Sequence, residues 1–499
     1  MIPILRKYWD SRPFLVILAS AAIFRLLAAV FSKGFAMLDD HFVVIELAQR
    51  WADGFQDWFN EGSSVGRSLI YPGLHYLLFY VLEQIGITDP QTKMLFVRLI
   101  HASYSILIVE LGYLVAKRMT EPKVARQVGI ILALFWILPF MSVRNLIEVV
   151  CIPPLLAGFY FILKEEDGNE LRYLLLAGAM FGIASALRFQ TILITVGVGI
   201  VMLFHRRWKV FWGYTAGFII GSFCTQGIID WIAWGYPFSS VYNYVAFNIR
   251  HRYQYVTGPW FQYLLLILGV LIPPTSLLFV FGFLKSWRKH ALLFWPTVIF
   301  LVFHSYFPNK QERFILPILP FLIILGVIGW NEYVKNSNFW ERKQTLLRNL
   351  WTWFWVVNSL LLVIVTFTYS KKNRVETLYY LCHKNDVTGV IWESPRSQIP
   401  SPPKFYLNKP VPVYIYHSSK SGNDLKSQIT AKGQLLPNYV IFLGEEGIEN
   451  RVQQMESSFS KEFKFEKKIV PSFIDDILHR LNPKYNVNQT SYIYKILSD

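Results

Sequence analysis

Long apolar runs separated by short polar connections recur through the first three quarters of the chain. A helix needs roughly 17–25 mostly apolar residues to cross a bilayer, so this patterning predicts a polytopic α-helical membrane protein. About eleven spans are expected on that length rule, near 14–31, 94–116, 128–140, 146–163, 171–187, 191–204, 211–229, 261–284, 291–304, 314–330 and 351–369. The first run lacks a small-residue cleavage pattern and reads as a retained helix.

Basic residues fall on alternate connections: Lys117-Arg118 with Lys123 and Arg126, then Lys164 and Arg172, Arg206-Arg207 with Lys209, Lys285 with Arg288-Lys289, and Arg342-Lys343 with Arg348. Positive residues mark the cytoplasmic side, so these connections and the N-terminus are expected inside. That scheme requires the run 69–85 to stay out of the bilayer core. The run begins at Tyr71-Pro72-Gly73 and carries His75, Glu83 and Gln84, which fits an interfacial or re-entrant helix. The first outer loop then covers about residues 32–93, and the C-terminus lies outside.

The chain is read as two domains, a transmembrane part over 1–370 and an extracytoplasmic part over 371–499. In the second, short apolar runs at 388–392, 411–416 and 439–443 read as strands. Polar helical stretches at 424–431 and 446–457 alternate with them, predicting a small α/β domain.

The composition is 53% hydrophobic and 16% charged, well below the roughly 25% charged residues of a soluble protein. Net charge is +16. Much of that excess sits in orienting loops, and no nucleic-acid signature appears, so no nucleic-acid partner is expected. Three cysteines form neither a disulfide framework nor a zinc spacing. No P-loop or dinucleotide glycine motif occurs, and no cofactor or metal is expected.

Candidate chemistry collects on the outer connections. Asp39-Asp40-His41 follows the first span; neighbouring carboxylates raise each other's proton affinity, which suits a general base, or the pair simply caps the following helix. His41 has no clear third ligand beside it for a metal. Arg67 closes the same loop as a phosphate ligand or a headgroup anchor. Arg144, Asn145 and Glu148 open another span, where Arg144 and Glu148 at i, i+4 could pair with each other. Asp230, Asn243 and Asn248 punctuate an outer loop rich in Tyr and Trp, whose rings serve as interface anchors or stack on sugars. Lys310 and Arg313 sit in a charged knot at the mouth of an apolar run. Three residues apart on a helical turn, they would point the same way and suit a phosphate, with Glu312 as a neutralising neighbour.

The knot Lys310-Gln311-Glu312-Arg313-Phe314-Ile315-Leu316-Pro317, with His304 upstream, resembles the "HKEERFIFP" signature of the family 22 glycosyltransferases. Those enzymes are mannosyltransferases dependent on polyprenyl-phosphate mannose, of the type that builds dolichol-linked oligosaccharides and GPI anchors. Asn309 stands where the family usually has His, and Gln311 where it often has Glu. Leu38-Asp39-Asp40-His41-Phe42 is similar to the family's "PDE-x-F", and Arg67-Ser68 through Pro72 to its "RS-x-x-x-P". Arg144-Asn145 with Glu148 resembles a shortened "R-x-x-N-x-x-E", and residues 230–248 more loosely match a further loop pattern.

The resemblance implies a GT-C fold and transfer of a sugar, mannose by analogy, from a polyprenyl-phosphate donor to a glycan or glycolipid, with inversion. It implies Asp39 or Asp40 as base, Lys310, Arg313 and Arg67 at the donor phosphate, and His41, Arg144, Asn145, Glu148, Asp230, Asn243, Asn248 and Glu312 as substrate-binding candidates. The bilayer is the solvent, in a bacterial inner membrane by preference and otherwise in the endoplasmic reticulum. A rival reading is a flippase for lipid-linked sugars, which should carry polar residues on both membrane faces; here the inner loops hold mainly orienting charge. A GT-C transferase or polymerase for another sugar is the third.

Overall fold

A computed structural model describes residues 2–38, 40–55, 67–164, 170–396, 399–418, 422–431, 436–483 and 486–497. The chain is a polytopic, largely α-helical membrane protein with a small α/β sheet. It divides into two compact units: Met1–Val30 with Trp51–Leu77 and Val97–Phe367, and Phe31–Arg50 with Leu78–Phe96 and Thr368–Asp499.

Among the described residues six helices are long and apolar enough to span a membrane, rather than the eleven expected: Pro13–Phe31, Pro90–Met119, Glu170–Leu187, Trp208–Trp234, Glu312–Lys335 and Gln344–Thr366. Four shorter apolar helices, Ile147–Leu163, Phe189–Phe204, Ser276–Lys285 and Ala291–Tyr306, account for further runs. The difference has a local cause, because several apolar runs are broken by backbone that finds its partners elsewhere. Helix Pro122–Leu134 ends at Phe135. The freed Ala133 carbonyl accepts from Arg25 Nη1 at 3.0 Å, and the Leu134 carbonyl accepts from Asn358 Nδ2 at 2.8 Å. Asn358 Oδ1 in turn accepts the Trp136 N–H at 2.9 Å. The run over 261–284 breaks at Pro273-Pro274, and there Trp353 Nε1 donates to the Pro273 carbonyl at 2.9 Å. Irregular backbone at membrane depth is tolerated only where such partners exist.

The helices cross through glycines. An added Cβ at Gly178 would lie 2.1 Å from the Tyr214 carbonyl oxygen, and one at Gly217 would lie 2.2 Å from that of Leu175. Helices Glu170–Leu187 and Trp208–Ser222 therefore meet backbone to backbone, as small residues allow in membrane bundles. Gly217→Val is expected to lower stability by at least the ~1–3 kcal/mol typical of overpacking. Thermal unfolding in detergent would check this, with Gly269→Ala as control, since a Cβ at Gly269 meets nothing within 4 Å.

Helix Ile70–Gln84, in the run expected to lie at the interface, has 15 residues. At 1.5 Å per residue it is shorter than the roughly 30 Å hydrocarbon core. Leu74, Leu77 and Val81 expose an apolar stripe along it, and Ile85 just past its end is exposed as well.

In the second unit the sheet comprises β1 (Val390–Ser394), β2 (Val413–His417), β3 (Tyr439–Leu443), β4 (Phe463–Ile469) and β5 (Ser491–Ile496), in the order β2-β1-β3-β5-β4. β1 pairs in parallel with β2 and β3, whereas β5 runs antiparallel to β3 and β4. Ile391, Val440 and Phe442 pack with Leu425, Ile429, Val452 and Met455 from helices Gly422–Ala431 and Ile448–Phe459. β4 and β5 are additional to the three expected strands.

Candidate active site

Three elements of the first unit bring charge together. The chain turns at Asn145, whose φ of 55° is left-handed, a conformation Asn tolerates better than most residues. The turn is held by Tyr71, whose hydroxyl lies 2.8 Å from Asn145 Oδ1 and 2.6 Å from His101 Nε2. Arg144 lies over the Phe140 ring, 4.4 Å from its centroid. Helix Ile147–Val150 then places Glu148 fully inside the protein.

The Glu148 carboxylate meets Arg188 Nη2 at 3.0 Å and Arg313 Nε at 3.4 Å, both through Oε1. Residues close in sequence would have paired Glu148 with Arg144; the fold brings it two distant guanidiniums instead. Arg188 was not among the expected site residues. Its sequence signal was an arginine at the end of the apolar run 171–187, on a connection predicted to lie outside. Both guanidiniums also lie over Phe314, at 5.2 Å for Arg188 and 5.9 Å for Arg313. Arg313 Nε donates to Gln311 Oε1 at 2.9 Å.

Lys310 and Arg313 do not share a helical face, because the 3-10 turn begins only at Glu312. Lys310 Nζ donates to the carbonyls of His304, Ser305 and Phe307, each at 2.6 Å, closing the C-terminal end of helix Ala291–Tyr306. A cation at that helix end is favourable, and burial holds the ammonium below its usual range. Glu312 is exposed, and among the described residues it is the Glu148 carboxylate that meets Arg313.

Phe314 also forms part of the wall of a cavity of about 700 Å³, together with Phe189, Ile192, Phe218, Tyr244 and Phe303. Asn248 and His304 line it too. Asn248 Nδ2 donates to the Tyr244 carbonyl at 2.8 Å, one turn back on helix Ser239–Arg250, which also carries the half-buried Asn243. Asp230 is fully buried and accepts from Gln226 Nε2, the Ser240 N–H and Ser240 Oγ at 2.8, 2.9 and 2.6 Å, pinning the start of that helix. Burial pushes the Tyr244 phenol up, and the charges of Arg188, Glu148, Arg313 and Arg67 all reach it. The exposed Arg67 thus lies within electrostatic range of the cluster.

In the second unit Asp40 is buried at the start of a π-helical turn, Asp40–Ile45; such turns are frequent at functional sites. Asp39 lies outside the described residues. His41 stacks between Phe35 and Tyr406, at centroid distances of 4.4 and 5.4 Å, with Glu46 Oε1 3.8 Å from its Nε2. Burial depresses His41 to about 3, with Lys371 adding to the effect. Burial raises Glu46 to about 7, against the pull of the Phe405 N–H and Lys404.

The two shifts act on stability with opposite signs. Glu46 binds its proton more tightly when folded, so its contribution is lost as pH rises from 4.5 to 7. His41 stays neutral when folded, so its contribution grows as pH rises from about 3 to 6.5. Glu46→Gln is expected to remove the falling limb and steepen the gain in stability with pH, read as the unfolding temperature across that range.

A family model described as the Alg9-like mannosyltransferase family matches residues 16–388. The chain belongs to that family. Among curated members it is 22% identical over 407 residues to GPI mannosyltransferase 3 of Yarrowia lipolytica, an alignment covering 80% of this chain and 76% of that one. It is also 22% identical over 460 residues to mannosyltransferase APTG1 of Arabidopsis thaliana, covering 85% and 80%. The fold is shared with apo ArnT from Cupriavidus metallidurans, at TM-score 0.61, 13% identity and coverage of 97% and 98%. It is also shared with the oligosaccharyltransferase AglB from Archaeoglobus fulgidus, solved with an inhibitory peptide and a dolichol-phosphate, at TM-score 0.51, 9% identity and coverage of 92% and 73%. This Alg9-like chain is a membrane-embedded glycosyltransferase of GT-C-like fold.

Proposed function

We propose that this Alg9-like protein transfers mannose from a polyprenyl-phosphate donor to a glycan or glycolipid hydroxyl, with inversion, on the extracytoplasmic face of its membrane. The observation that carries this reading is the apolar cavity whose Phe314 wall bears two guanidiniums. Its size falls within the range of ligand pockets, and apolar walls beside fixed cations suit a lipid with an anionic head. ArnT has been solved with undecaprenyl phosphate and AglB with a dolichol-phosphate, which supports a donor of the same class.

In this reading Arg313 binds the donor phosphate, with Lys310 and Arg67 adding positive potential and Arg144, Asn145 and Glu148 fixing the surrounding turn. A carboxylate of Asp39 or Asp40 takes the proton of the acceptor hydroxyl. The oxygen attacks the anomeric carbon, the carbon–oxygen bond to phosphate breaks, and polyprenyl phosphate leaves with the electron pair. Charge grows on the departing phosphate, where a fixed guanidinium stabilises it more than in the ground state.

The test is incubation of the solubilised protein with radiolabelled polyprenyl-phosphate mannose and a crude lipid acceptor. Label in the acceptor fraction is expected. A reconstituted protein that only moves intact donor between leaflets would instead be a flippase.

A further inference from the structure

His304 is buried and is one of the residues that line the cavity. Its Nδ1 lies 2.8 Å from the Phe300 carbonyl oxygen, one turn back on the same helix. A carbonyl only accepts, so Nδ1 carries the hydrogen, and in the neutral ring Nε2 is left as a lone-pair acceptor. Among the described residues, that Nε2 is buried without a hydrogen-bond partner. A buried acceptor left unsatisfied costs roughly 1–3 kcal/mol, a cost that a ligand hydroxyl reaching it would remove.

The surroundings restrict what that donor can be. The His304 ring centroid is 6.1 Å from that of Phe314, the ring that also carries the Arg188 and Arg313 guanidiniums. His304 therefore packs near the same ring that the two guanidiniums cover, close to the proposed phosphate. A phosphodiester has no O–H to give, and an isoprenoid chain has none. The sugar joined to the phosphate is rich in them. Arg188 spends Nη2 on Glu148 and keeps further N–H donors of its fork, so it can hold a second oxygen of the same headgroup.

We infer that His304 Nε2 accepts a hydrogen bond from one hydroxyl of the donor hexose, and so helps decide which sugar is transferred. This rests on the proposed polyprenyl-phosphate sugar donor and goes beyond it by naming the atom that reads the sugar. A site built to bond a hydroxyl rejects the analogue that lacks it, because the buried partner is then left unpaired.

The experiment compares kcat/KM for polyprenyl-phosphate mannose with that for its 2-, 3-, 4- and 6-deoxy analogues, in the parent protein, His304→Phe and His304→Gln. The parent should discriminate against one deoxy donor at least ~10-fold, corresponding to one hydrogen bond of about 1.4 kcal/mol. His304→Phe should be slower on the full donor and lose that single discrimination while keeping the others. His304→Gln, which retains an acceptor oxygen, should recover part of it. The inference is overturned if His304→Phe keeps the parent's whole pattern, or if the parent discriminates against none of the four. If the parent uses no mannosyl donor at all, the proposed function itself fails, which is a separate result. Circular dichroism and gel filtration of each variant identify one that does not fold, and His304→Gln then carries the comparison.

Discussion

Replacing Asp40 with Asn is expected to lower sugar transfer by two to four orders of magnitude, the usual contribution of a general base. The substitution keeps the shape of the side chain and removes its ability to take the acceptor proton. Asp40 is buried within the π-helical turn, so a more drastic change would confound folding with chemistry. The amide variant should elute and unfold like the parent while kcat falls and donor affinity holds. Asp39→Asn provides the comparison, since the two residues are neighbours in sequence and the weaker variant marks the base. Full activity in both variants would remove the base assignment.

Arg313→Gln should produce the second large effect, a loss of about 10²–10³ in kcat/KM, the scale found when one charge-stabilising donor is removed. Part of that loss should appear in kcat, because the phosphate gains charge as the glycosidic bond breaks. Arg313→Lys should recover little, since an ammonium lacks the planar fork that a phosphate engages. The variant leaves Glu148 with Arg188, so the carboxylate stays paired and the protein should remain folded. Glu148→Ala is a different case. Removing the carboxylate that two guanidiniums share should destabilise by about 3–5 kcal/mol, as when a buried ion pair loses one partner. Comparing unfolding temperatures of the two variants separates ligand binding from scaffold.

Much of the architecture was legible because membrane spans and small strands announce themselves by pattern. Long apolar runs identified the polytopic class, and short apolar runs in the tail located β1, β2 and β3. What the pattern missed was set by distant partners. The helix break at Phe135 depends on Arg25 and Asn358, which no local window around residues 128–140 contains. β4 reads Phe-Lys-Phe-Glu-Lys-Lys-Ile, a charged edge strand whose pairing with β5 is interrupted by a register shift between Phe465 and Lys467.

The site divides in the same way. The Lys310–Arg313 knot stood out as clustered charge, whereas its geometry did not. Lys310 turned out to close a helix end, and Glu148 found Arg188 and Arg313 rather than its neighbour Arg144. Ion pairs between remote segments leave no periodic trace. Glu148 was visible as an anomaly in an apolar run, but its partners were not.

The most direct test follows the fate of both halves of the donor in one reaction. Purified protein, polyprenyl-phosphate mannose of defined anomeric configuration and an acceptor glycolipid are combined, and the products are read by NMR and mass spectrometry. The account predicts polyprenyl phosphate and mannosylated acceptor in equal amounts, with the anomeric configuration inverted. Retained configuration, or mannose drawn from a nucleotide sugar while the lipid donor stays intact, would contradict it.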